Sequence, residues 1–398
     1  MTAIETSAAQ DLPVATARGW FAVVTVSLGI FALVTAEQLP IGLLTPLGSA
    51  LGVSEGTAGL VVTVPGLVAA LAAPLLPIVI GRLDRRWVLA GLIALMAASH
   101  AVSAITTSFA VMLAARVLVG VSIGGFWAIA GGLALRLVPE RSVPRATAIV
   151  FGGVAAANVL GVPLGTWIGG LSGWQTAFAA LGGLGLLILL ALLAVLPRLP
   201  ATRPVRPGEL LAGLRDARVR AGILATGLLV TGHFAAFTFL SPALRNISGI
   251  GSEAMGPLLL AYGVAGIAGN FVSGAAAGRH VLRTLLVISL ALAAALSLFP
   301  LLGRTPITGV VLLIAWGLAF GGVSVSLQTW MLKAAPHAAE ASTSLYTSMF
   351  NFAIALGAFV GGLIVNLVAV SGVLWLGAAL VLLTLTAVRM AHRAGGLT

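Results

Sequence analysis

Apolar runs of roughly twenty residues recur from one end of this chain to the other, and no other feature restricts its fold so strongly. A run of that length, coiled as a helix, matches the hydrocarbon thickness of a bilayer. Hydrocarbon offers the backbone no water, so each run must close its own hydrogen bonds as a helix. The alternating pattern of a membrane β-barrel is absent. Composition agrees: 60% of residues are hydrophobic and 8% are charged, against about 25% charged in soluble domains. The runs predict twelve spans, at 19–43, 57–80, 87–107, 109–135, 144–169, 174–196, 219–243, 254–277, 282–302, 307–332, 341–367 and 371–391. The first is too long, and too polar at its end, for a cleaved signal peptide, so it is expected to remain in the mature chain. With no cysteine, the chain has no disulfide, thiolate metal site or cysteine nucleophile.

The net charge of +11 raises the question of a nucleic-acid partner. The distribution of the 21 Lys and Arg residues answers it. With the N-terminus in the cytoplasm, eighteen of them fall on that side, in the tails, the even-numbered junctions and the long central break. Arg245 and Arg304 fall outside, and Arg116 lies within a span. This is the positive-inside pattern, so both termini are expected in the cytoplasm and the charge needs no anionic partner beyond lipid headgroups.

Order along the chain suggests two halves. Residues 1–17 read as a disordered cytoplasmic N-terminus, 18–197 as one six-helix bundle, 198–218 as a cytoplasmic linker, 219–391 as a second bundle and 392–398 as a cytoplasmic tail. The linker starts rich in proline, and Gly208–Arg220 has the pattern of an amphipathic helix on the inner leaflet. Gly81-Arg82 recurs at Gly278-Arg279, and Gly120, Gly124 and Gly125 recur at Gly317, Gly321 and Gly322, both at an offset of 197. Gly161 and Gly165 recur at Gly357 and Gly361, offset 196. Six plus six spans in one orientation is the parallel repeat of a two-lobed transporter, with its substrate site between the lobes near the midplane.

Of the ten acids, only Glu37 lies inside a long apolar run. A carboxylate at mid-bilayer costs about 2.5–3.5 kcal/mol on insertion scales, which marks it as a functional group whose simplest partner is a proton. Four stretches then carry a family likeness: Thr35–Leu44 (TAEQLPIGLL), Arg116–Gly120 (RVLVG), Asn158–Gly165 (NVLGVPLG), and Gly232-His233-Phe234 followed by Phe237-Thr238. Over nearly its whole length the chain resembles the major facilitator superfamily, and within it the twelve-helix drug:proton antiporters, near bacterial sugar-, purine- and chloramphenicol-efflux proteins. The resemblance implies an all-α integral membrane protein of two pseudo-symmetric six-helix bundles.

Spans 1 and 4 line the cavity in proteins of that fold. Arg116 lies about 10 Å below the outer surface and Glu37 about 25 Å above the inner one, both in the outer half. The expectation is a switchable Glu37–Arg116 pair in which Glu37 ionises beside Arg116 and takes a proton when Arg116 is lost; the alternative is a permanent ion pair that only holds the first bundle together. His233, one position from the repeat partner of Glu37, is either a proton relay, a substrate contact or a packing residue. Phe126, Trp127, Asn158, Phe237, Gln328, Tyr346 and Asn351 are candidate cavity residues. Gly317, Gly321, Ser324 and Gln328 share one helical face, suited to a cavity wall. Gly161, Pro163 and Gly165 suit a hinged contact between lobes, or plain helix packing. Gly81, Asp84 and Arg85 sit where the superfamily has a gating loop, but one spacer and the second glycine are missing, and Asp84 could simply cap span 3.

No phosphate loop, metal cluster or nucleophile triad is visible, so no enzyme activity and no cofactor are expected. The partners expected are a small amphipathic substrate, protons and membrane lipids, with the chain a monomer in a bacterial inner membrane. The leading reading is proton-coupled export by alternating access; uptake on the same fold and a non-transporting receptor are the alternatives.

Overall fold

A computed structural model describes residues 17–81, 83–130, 133–139, 142–200, 215–335 and 339–393. Its first half comprises α1 (Ala17–Gly42), α2 (Leu44–Ala50), α3 (Glu55–Ala58), α4 (Leu60–Ile80), α5 (Arg85–Ile105), α6 (Phe109–Ala130), α7 (Ala134–Leu137), α8 (Val143–Ala156), α9 (Val162–Ser172) and α10 (Trp174–Val195). The second half comprises α11 (Ala217–Phe237), α12 (Leu240–Ser248), α13 (Met255–Leu302), α14 (Pro306–Gly321), α15 (Val323–Ala334), α16 (Ala339–Leu367) and α17 (Val370–Arg393). Local chemistry sets several ends. Asp84 and Asp216 cap α5 and α11 by accepting from the amides of Arg86 and Arg218. Thr305 and Thr308 form a reciprocal box at the start of α14, with Pro306 at its first turn. Gly249, at φ +68°, stops α12 in the left-handed region open to glycine.

Among the described residues, eleven helical stretches are long and apolar enough to cross a bilayer. The longest, α13, has 48 residues, about 72 Å of helix if straight. That is more than twice the hydrocarbon thickness of about 30 Å. It breaks at His280 (φ −140°, ψ 66°), inside the loop expected between spans 8 and 9. Counting the stretches on either side of His280 as separate crossings gives the twelve spans expected. The candidate amphipathic helix falls largely on 201–214, outside the described residues, as does the N-terminal tail up to residue 16. The short α2 and α12, which follow spans 1 and 7 in the two halves, were not foreseen.

Helices approach through glycine. On α13 and α14, a Cβ at Gly321 would collide with the Gly266 carbonyl, and one at Gly269 with that of Leu318. Gly317 likewise faces the Tyr262 carbonyl. Gly317 and Gly321 therefore seat α14 on α13, which corrects their reading as cavity wall, while Ser324 and Gln328 lie on α15, exposed and half-buried. Phe21, Phe271 and Ile307, at 64%, 74% and 77% exposure, belong to the outward apolar surface that lipid would cover.

The two halves meet along α4 with α16 and along α9 with α13. Gly66 lies against Ala355 and the Asn351 carbonyl, and Gly56 against Gly362. On the other side Gly256 faces Pro163 and Trp167, and Gly263 faces the Asn158 carbonyl. These are spans 2 and 11, and 5 and 8, so the repeat exchanges one contact with the other.

Candidate functional site

Proline explains where Arg116 goes. Pro40 in α1 and Pro65 in α4 have no N–H, so each leaves the carbonyl four residues back without its helical donor. Those carbonyls belong to Ala36 and Val61. Arg116 Nη1 donates to the Ala36 carbonyl at 2.9 Å and Nε to that of Val61 at 2.9 Å. Nη2 reaches the main-chain carbonyl of Glu37 at 3.5 Å. The guanidinium, fully buried, thus replaces two missing amide donors and ties α6 to α1 and α4. This corrects the expected charge pair. Among the described residues the one ion pair within 4 Å is Glu55–Arg245, so in this conformation Arg116 binds the backbone beside Glu37 and not its carboxylate. A third carbonyl freed in the same way, Ala70 ahead of Pro74, accepts from Ser348 Oγ of α16 at 2.9 Å, across the two halves.

Glu37 is 8% exposed, so its side chain does not point into lipid. Its Oε1 is buried and has no hydrogen-bond partner among the described residues. The next residue, Gln38, donates from Nε2 to Asn158 Oδ1 at 3.0 Å, and Asn158 Nδ2 donates to the Val154 carbonyl at 3.1 Å. Gln38 escaped the sequence reading although it adjoins the one intramembrane acid; as one of few amides inside a span it was a visible signal. Asn158 lies in a π-helical turn, Ala157–Gly161, followed at once by Pro163. A wide turn near a residue that cannot donate weakens the helical ladder and lets the helix bend there. Of the two readings open for the glycines there, helix packing fits. Gly161 faces Thr35 and Phe31, and Gly165 faces Leu39, so both seat this helix on α1 within its own half. The contact between halves uses Pro163 and Trp167 instead.

His233 is fully buried among aromatics. Its ring stacks on Phe237 at 5.0 Å and against Phe320, with Phe234 at its edge. The Trp316 indole N–H can only donate, so His233 Nδ1 accepts at 3.0 Å and the neutral ring carries its proton on Nε2. Nε2 finds no partner among the described residues. Tyr262, unforeseen from sequence, stacks on Phe237 at 4.9 Å. Of the readings open for His233, this geometry fits packing.

The remaining candidates divide. Phe126 is fully buried against Gly29 and Phe237 is 4% exposed in the aromatic cluster, so both are core residues and not cavity lining. Trp127, half-buried, packs against Phe151, and Gln328 is half-buried. Tyr346 donates to the Ser324 carbonyl at 3.4 Å, and Asn351 to that of Thr347 at 2.9 Å. Asp84 accepts from the amides of both Arg86 and Leu199 at 2.9 Å, Arg85 N donates to the Leu199 carbonyl, and Gly81 turns at φ +48°. Those contacts make the segment a cap and tie to the end of α10.

The model of the Major Facilitator Superfamily matches residues 26–358. The chain belongs to the major facilitator superfamily. The transporter is 34% identical over 372 residues to the purine ribonucleoside efflux pump NepI of Escherichia coli K12, covering 92% of each chain. It is 35% identical over 368 residues to the transcription regulatory protein OpdE of Pseudomonas aeruginosa, again covering 92% of each. Among solved structures, nucleoside transporter NupG superposes with a TM-score of 0.73 at 16% identity, covering 92% of this chain and 99% of that one. A bacterial homologue of the lysosomal transporter Spinster gives 0.72 at 14% identity, covering 95% and 97%. The transporter is thus a multi-pass membrane protein of the two-lobed superfamily fold.

At the end of the transporter away from Arg18 and Arg86, the lobes are latched. Arg245 of α12 donates to Glu55 Oε1 at 2.5 Å, Thr45 donates to the same oxygen at 2.9 Å, and Ser54 Oγ donates to Asn366 Oδ1 at 2.8 Å. The native chain has no cysteine, so Ser54→Cys with Asn366→Cys introduces the sole thiols. Mild oxidation is expected to join them, block their reaction with maleimide and stop transport until a reductant is added. Two thiols that stay freely reactive would show that this closed arrangement is not populated.

Proposed function

We propose that the transporter exports a purine ribonucleoside-like solute in exchange for protons. The observation that carries this reading is Glu37, the one acid within a span, buried, with a carboxylate oxygen that no described group satisfies. A group so placed gains from a proton and from little else. The adjacent Gln38–Asn158 amide pair offers donors and acceptors suited to a neutral polar solute. The likeness to a purine ribonucleoside efflux pump supports both direction and substrate class.

In this proposal the arginine-rich end faces the cytoplasm of a bacterial inner membrane, both termini lie inside, and each monomer works alone. The Glu55–Arg245 latch then closes the periplasmic side in the present conformation. Release of that latch, with bending at Ala157–Pro163, gives the outward state.

Inside-out vesicles energised to pump protons inward test the direction and the solute together. Radiolabelled inosine and adenosine are expected to accumulate, to escape when a protonophore is added, and to exceed a sugar or chloramphenicol control. Accumulation only in right-side-out vesicles would establish uptake instead. No accumulation of any solute in either orientation would overturn the transport reading.

A further inference from the structure

At the arginine-rich end, the two lobes treat repeat-related cations differently. Arg86 of the first lobe donates to the Leu193 carbonyl, beside the Asp84 cap and its tie to Leu199. The offset of 197 carries Arg86 to Arg283, and Asp84 to Val281. The second lobe therefore keeps the cation and lacks the acid. Arg279 and Arg283 are exposed, and neither has a hydrogen bond or ion pair to any described residue. Both line one cavity of about 600 Å³ with His280, where the helix breaks, and no carboxylate lines it. Lys333 adds a further charge close by, its Nζ donating to the Gly278 carbonyl at 3.1 Å. The rest of the wall is largely apolar: Val272 and Val287, at 70% and 62% exposure, lead away along the lipid-facing surface.

We propose that this notch holds an anionic phospholipid, its headgroup phosphate on Arg279 and Arg283 and an acyl chain along Val272 and Val287. A cavity with cations at one end and an aliphatic wall toward the membrane matches that molecule at both ends. A soluble phosphate would use only the basic part. Placing the lipid in the cytoplasmic leaflet rests on the orientation proposed above; binding itself does not.

Native mass spectrometry of the detergent-purified full chain tests the site, with phosphatidylglycerol, phosphatidylethanolamine and sn-glycerol 3-phosphate titrated separately. Phosphatidylglycerol is expected to bind best. Each arginine removed should weaken it about fivefold, and Arg279→Gln with Arg283→Gln about 25-fold. Arg304→Gln, at the opposite end, should change nothing. Arg279→Lys with Arg283→Lys should retain part of the affinity, which separates lost charge from misfolding, as does size-exclusion behaviour of each variant. Equal binding of the two lipids, an unaffected double Gln variant, or glycerol phosphate binding as tightly as the lipid would each overturn the proposal. None of these readings depends on transport, so their failure leaves the export reading standing, and the converse holds too.

Discussion

Arg116→Leu is expected to destabilise the transporter by about 2–6 kcal/mol, because two buried carbonyls each lose a donor at roughly 1–3 kcal/mol. Those carbonyls lie where no lipid can replace the bond, which favours the upper end. Arg116→Lys should fall between, since one ammonium cannot reproduce a planar fork that spans two helices. The cause can be isolated. Pro40→Ala and Pro65→Ala each restore an N–H that can pair with Ala36 or Val61 within the helix. In that background the loss of Arg116 should cost less, with a coupling of about 1–2 kcal/mol for each proline. Thermal unfolding in detergent gives the full cycle. Strict additivity would mean that the prolines and the guanidinium are unconnected.

The second large effect concerns coupling. Glu37→Gln keeps size and hydrogen-bonding capacity but cannot exchange a proton. It is expected to bind solute and to abolish concentrative export. One charge crossing 100 mV supplies about 2.3 kcal/mol, enough for a gradient of roughly 50-fold in a neutral solute, and the variant should collapse that ratio to one. Solute-induced proton release from purified protein should vanish with it, while Glu37→Asp retains part of both. Coupled export at wild-type level by Glu37→Gln would remove Glu37 from the mechanism.

The spans were legible because length and apolarity fix them. Expected bounds of 174–196 and 371–391 became Trp174–Val195 and Val370–Arg393. Side-chain direction was not legible in the same way. A glycine row says that something comes close, not which helix, so the sequence left Gly161 and Gly165 between a contact across the lobes and packing within one, and Gly317 and Gly321 read as a cavity wall. Phe126 and Phe237 read as cavity aromatics because an aromatic in a membrane helix looks the same whether it lines a passage or fills a core. For Arg116, charge suggested Glu37, the one opposite charge in a span. The deciding information was in the sequence all along, in Pro40 and Pro65, whose missing donors count for more than a distant carboxylate.

The Ser348–Ala70 bond differs from its two counterparts on Arg116 in one respect: it joins bodies that, in alternating access, must part. When they do, the carbonyl ahead of Pro74 is left facing whatever fills the gap. Its helix has already done without that bond, so a water molecule can take the hydroxyl's place and nothing unwinds. If the lobes part as that mechanism requires, proline would provide a fastening that opens and shuts like a press-stud, with little net change in free energy per cycle, while Arg116 acts as a rivet.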